Sequence, residues 1–123
     1  MAISINLFRN ARDVRSFVAG EKIFSKGDHA DAMFVVIEGA VDVVYNGHLI
    51  DTIESGDVLG EMGLIEKSDR SADALARSDC KLVPINEQYF TYLVQQTPYF
   101  ALQVMQILSR RLRRMMEDHH QEI

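Results

Sequence analysis

Met33-Phe34-Val35-Val36-Ile37-Glu38-Gly39-Ala40-Val41-Asp42-Val43-Val44-Tyr45-Asn46-Gly47 is the stretch on which the fold class turns. Met33 to Ile37 is an apolar run rich in β-branched side chains, and Glu38-Gly39 stops it. Val41, Val43 and Tyr45 then alternate with Ala40, Asp42 and, imperfectly, Val44, which is the period of a half-buried strand. Asn46-Gly47 tolerates the positive φ angles of a type I′ turn, so strands near 40–45 and 48–53 are expected to pair directly. Ser55-Gly56-Asp57 supplies the next turn, and Leu75–Ile85 holds at least one further strand. No helix-length segment interrupts residues 17–60. Short strands with glycine-bearing turns therefore predict a barrel or sandwich in place of an α/β sheet.

Outward from this region the grammar becomes helical. Residues 1–15 begin with a short helix, Phe8 lying among Arg9, Arg12 and Arg15. Asn86 caps a short helix running to Leu93, and Thr97-Pro98 caps and opens a long helix over about 98–118. Phe100, Val104, Ile107, Leu108, Leu112, Met115 and Met116 recur on it at helical spacing. This stripe extends past what a small barrel covers. A homodimer is therefore expected through Ala101, Val104, Leu108, Leu112 and Met115, flanked by Arg110, Arg111, Arg113 and Arg114. The competing arrangement folds the helix back across its own subunit.

The 123 residues, 47% of them hydrophobic, suit one domain spanning 1–123 with a modest core. The net charge of −5 is unevenly spread: residues 97–123 carry +1, and the first 96 carry −6. A basic helix end thus sits beside an acidic body, an arrangement that favours some partner. Cys80 stands alone in an expected strand and reads as a small buried hydrophobe, which suits a reducing compartment. No apolar run approaches membrane-spanning length and no leader pattern appears, so a cytoplasmic protein without membrane insertion is expected. His29, His48, His119 and His120 lack metal-ligand spacing, and no nucleophile–base pairing is set by motif, so neither a metal nor an enzyme is expected.

Gly60-Glu61-Met62-Gly63-Leu64-Ile65-Glu66-Lys67-Ser68-Asp69-Arg70-Ser71-Ala72 is the sharpest local feature. It is not a P-loop. Its glycines permit close backbone approach, a short following helix presents N–H groups, Arg70 offers a planar charged fork for phosphate oxygens, and Glu61 can hold a sugar hydroxyl. Chemistry alone favours reading the same residues as a turn, a surface carboxylate and a solvated arginine.

The segment resembles the phosphate-binding cassette of the cyclic-nucleotide-binding domain superfamily, found in bacterial catabolite-activator-type regulators, kinase regulatory subunits and gated channels. The resemblance extends to Gly20-Glu21, Ile23-Phe24, Gly27-Asp28, Met33–Gly39 and Gly56-Asp57, and Arg70-Ser71-Ala72 closes the cassette. It implies a mainly β fold with flanking helices, a double-stranded β-helix or jelly-roll barrel. It also implies a sensor or regulatory domain that binds a cyclic nucleotide. By position, Glu61 would take the ribose 2′-hydroxyl and Arg70 a phosphate oxygen. Ser71, Ala72 and backbone groups from Gly60 through Met62, Gly63 and Leu64 would complete the site. Ser71 leans towards cyclic AMP, with cyclic GMP the other possible ligand. Bacterial activators of the family place polar residues against adenine where this chain has Met115 and Met116, which would cap the base by packing. Those activators also carry a DNA-binding domain after the long helix. Residues 119–123 leave no room for one, so this chain alone is not expected to bind DNA. The alternative reading is a dimerisation or protein-interaction module, with a regulated protein partner and a vestigial pocket.

Overall fold

Among the described residues eight strands follow one another as β1 (Arg15–Phe17), β2 (Lys22–Phe24), β3 (Ala32–Glu38), β4 (Ala40–Tyr45), β5 (His48–Glu54), β6 (Val58–Leu59), β7 (Asp73–Ala76) and β8 (Cys80–Asn86). The helices are α1 (Glu61–Ile65), α2 (Glu87–Gln96) and α3 (Tyr99–Gln121), with a single 3-10 turn at Ile5–Phe8. This computed structural model describes residues 3, 5–8 and 10–121. Arg9 and the side chains of His119 and His120 lie outside the described residues.

The strands form two antiparallel four-stranded sheets, ordered β1-β8-β3-β6 and β2-β7-β4-β5. The expected hairpin is present: β4 and β5 pair from Ala40↔Glu54 to Tyr45↔His48, and Asn46 and Gly47 take φ of 49° and 80°. Alternation assigns the two faces of β3. Phe34 and Val36 enter a core between the sheets, with Val41, Ile53, Ala74 and Leu82. Met33 and Val35 enter a second core, against Phe8, Leu93, Phe100, Val104 and Ile107. The first sheet is therefore buried on both faces, which is why β3 reads as an unbroken apolar run rather than an alternating one.

The expected jelly-roll barrel is not formed. Among the described residues no ladder joins the two sheets, and each stays open. Closure needs strands long and tilted enough to carry one continuous ladder round the axis. Here the edge strands β1 and β2 have three residues each and β6 has two, while the turn at Ser55-Gly56-Asp57 sends β5 and β6 into different sheets. Helix and strand contribute similar shares, so the topology is mixed β/α rather than mainly β.

Asn86 caps α2 as expected, its side-chain oxygen accepting from Tyr89 N at 2.8 Å. Phe100, Val104 and Ile107 anchor the first turns of α3 in the core. Beyond Leu108, which is partly buried, the helix contributes no buried apolar residue: Leu112, Met115 and Met116 are all exposed. Val104 is only 3% exposed, so it is unavailable to the dimer seam expected for it. The outward apolar face runs instead through Leu102, Met105, Leu112 and Met116.

Candidate functional site

Arg70 is the one charged side chain buried among the described residues, at 9% exposure. Its backbone is clipped to the β2–β3 turn: Gly27 N donates to Arg70 O, and Arg70 N donates to Asp28 O, both at 2.8 Å. Its guanidinium donates to Gly60 O at 3.0 Å and to Ala32 O at 2.8 Å, and lies 4.3 Å over the Phe24 ring and 5.5 Å from that of Phe34. Two of the five N–H donors that an arginine carries are thereby used by carbonyls. No carboxylate reaches ion-pair distance of it among the described residues. Burial lowers its pKa from the ordinary arginine value, while Asp31, Asp28 and Glu61 pull the other way from longer range. An arginine keeps its proton against such a shift, so the fold holds a desolvated cation with no anion beside it.

Two glycines make room for that cation. Gly60 begins α1 in the left-handed conformation, φ 74°, and a Cβ there would stand 2.5 Å from Arg70 Nη1. A Cβ on Gly63 would stand 2.6 Å from Ala30 Cβ and 2.9 Å from the same nitrogen.

The guanidinium opens into a cavity of about 520 Å³, within the range of roughly 300–1,000 Å³ common for small-molecule sites. The cavity brings together Gly60, Glu61, Met62, Gly63, Arg70, Ser71, Ala72 and Met115. Leu64 turns instead into the helical core, and Met116 stands outside the wall. Glu61, Arg70 and Ser71 lie at the cassette end, while Val43, Ile50, Ile53, Leu108 and Leu112 form a mostly apolar wall that Asp51 and Arg111 edge with charge. A bulge between Val43 and Val44 leaves Ile50 unpaired, so that Ile50 and its neighbour Asp51 both face the cavity, which regular alternation would prevent. A larger groove of about 670 Å³ lies between the N-terminal turn and α2, but it contains no cassette residue. Two of its charges, Arg15 and Asp13, already pair at 3.3 Å.

Arg111 was expected to flank a dimer seam. It is inside the site, donating through Nη1 to Glu61 Oε1 at 3.1 Å and through Nη2 to Asp57 Oδ1 at 2.7 Å, with a further bond to Val58 O. The unequal charge of the two chain segments was the available signal. The acidic body and basic helix end meet each other at this point.

Compared with known proteins, residues 14–97 match the family model described as the cyclic nucleotide-binding domain. The cyclic AMP receptor protein of Thermus thermophilus is 30% identical over 105 residues, 80% of this chain and 48% of its own. This chain thus spans about half of that relative. The solved catabolite activator protein of Thermus thermophilus superposes with a TM-score of 0.75 at 25% identity, over 93% of this chain and 61% of that one. A structure described with a cyclic-GMP-dependent signalling pathway regulating bacterial phytopathogenesis gives 0.71 at 28% identity, over 95% of this chain and 98% of that one.

Proposed function

Because the chain belongs to the cyclic nucleotide-binding domain family, whose role is that of a non-catalytic sensor or regulatory module, we propose that the Gly60–Ala72 cavity binds cyclic AMP. The observation that carries the reading is Arg70, a buried guanidinium with no carboxylate at ion-pair distance among the described residues. An unpaired buried charge is costly, and a bound anion removes that cost. A cyclic phosphate placed against Arg70 and Ser71 sets the ribose towards Glu61, whose carboxylate accepts from the 2′-hydroxyl.

The base then meets Val43, Ile50, Leu108, Leu112 and Met115. The two bacterial relatives are described with different nucleotides, so base preference rests on this apolar wall. Guanine has more polar edge groups to desolvate there than adenine. One unsatisfied buried polar group costs about 1–3 kcal/mol, or roughly 5- to 150-fold in affinity, which favours cyclic AMP over cyclic GMP. Met115 packs on the base by its thioether without reading its edge.

A cytoplasmic setting and a homodimer through α3 complete the proposal. No helix among the described residues is long and apolar enough to cross a membrane. The exposed residues Leu102, Met105, Leu112 and Met116 stand three, seven and four residues apart, which keeps them on one side of the helix as in a helix–helix seam. That face also supports the second reading, an assembly module with a vestigial pocket.

Amide resonances of the labelled protein, followed as cyclic AMP is added, test the site. Shifts should concentrate in 60–72 and spread to β5 and α3. Shifts confined to the N-terminal groove, or none at saturating ligand, would reject this cavity.

A further inference from the structure

α3 crosses the mouth of the cavity on ion pairs. Arg111 takes Glu61 and Asp57, and three residues further along Arg114 Nη2 donates to Asp51 Oδ2 at 2.9 Å. The same Asp51 oxygen lies 4.0 Å from Arg111 Nε, so Asp51 ties the two guanidiniums together. Arg111 and Arg114 share the helix face that carries Val104, Ile107 and Leu108, and they continue it where its buried apolar contacts stop. Arg114 stands outside the ligand cavity and touches none of the cassette.

We propose that Asp51 and Arg114 are positioning residues for the nucleotide site. They form a clasp that seats the second half of α3 over the cavity before ligand arrives, holding Arg111 against Glu61. The proposal rests on the nucleotide reading of the cavity. Arg111 engages Glu61 through Oε1, which leaves the second carboxylate oxygen to accept the ribose hydroxyl, so helix seating and ligand binding support each other. Linkage then requires the reciprocal effect: loosening the clasp at Arg114, which stands outside the pocket, weakens ligand binding, and bound ligand tightens the helix. Asp51 keeps the alternation of Ile53 two residues on, and that register puts a β5 carboxylate at the cavity edge.

Arg114 is 58% exposed and Asp51 23%, so the effect is modest. An exposed pair is worth up to about 1 kcal/mol, or roughly two- to five-fold in an equilibrium. Hydrogen exchange of residues 108–114 in the ligand-free protein should quicken about two- to five-fold in Arg114→Gln and in Asp51→Asn. The double variant should fall short of the sum of the two, and Arg114→Lys should keep most of the protection. Cyclic AMP affinity of Arg114→Gln, changed outside the cavity, should drop by a similar factor while exchange of β3 and β8 stays unchanged. Unaltered exchange at 108–114 in both variants overturns the clasp. Faster exchange with unaltered cyclic AMP affinity overturns its positioning role. Failure of the wild type to bind cyclic AMP would sink the nucleotide reading instead, and the ligand-free exchange would still decide whether the clasp exists.

Discussion

Arg70 and Lys67 stand three residues apart in the cassette, yet their surroundings give them opposite weight. Arg70 is buried under Phe24 and hydrogen-bonded to two carbonyls, whereas the Lys67 side chain is 72% exposed and pairs with Glu87 across 3.3 Å. Losing a charge-assisted phosphate contact costs about 2–3 kcal/mol, so Arg70→Ala should weaken cyclic AMP binding roughly 30- to 150-fold. Lys67→Ala should change it less than about two-fold, as befits an exposed ion pair. Calorimetry on the two variants decides this, and equal losses would point to nonspecific charge effects. Family resemblance, not spacing alone, singled out Glu61 and Arg70, and the fold brings both to one cavity. The use of the glycines was not. Sequence reading has Gly60 and Gly63 admit a ligand, while in the fold they first admit the arginine itself. Spacing brings residues near one another without saying whose atoms fill the gap.

At the scale of elements, periodicity identified α3 and its apolar residues but could not divide them between core and partner. Val104 and Ile107 went to the core and Leu108 and Met115 to the cavity wall, while the outside took Leu102 and Met105, which the stripe had left out. A stripe of seven apolar residues wraps too much of a helix to face one neighbour, and only tertiary contacts show where it splits. Met105 is the cleanest probe of assembly, being 56% exposed and clear of the cavity. Wild-type protein should sediment as a dimer at tens of micromolar, and Met105→Asp should sediment as a monomer with its nucleotide affinity nearly unchanged. A wild-type monomer at that concentration would remove the helical dimer, and a dimer indifferent to the substitution would move its interface elsewhere. The Asn46-Gly47 hairpin, by contrast, was fully legible, because its turn chemistry is local.

For the whole molecule, the turn signals foretold many short antiparallel strands, and the structure has them, but the inference to a closed barrel failed. Closure depends on which edges pair over long sequence distances, and edge strands of two and three residues carry little pattern to reveal it. The split of charge along the chain was visible and its purpose was not: the partner of the basic helix end includes the acidic β5–β6 region of the same chain. These features converge on one claim, that the fold builds a cavity around a desolvated cation and closes its mouth with α3, so that a cyclic nucleotide completes the site. Calorimetric titration of the folded protein with cyclic AMP and cyclic GMP tests that claim most directly. The account predicts saturable binding of one cyclic AMP per chain, tighter than cyclic GMP. Absence of heat from both nucleotides at millimolar concentration, with the protein shown to be folded, would contradict it.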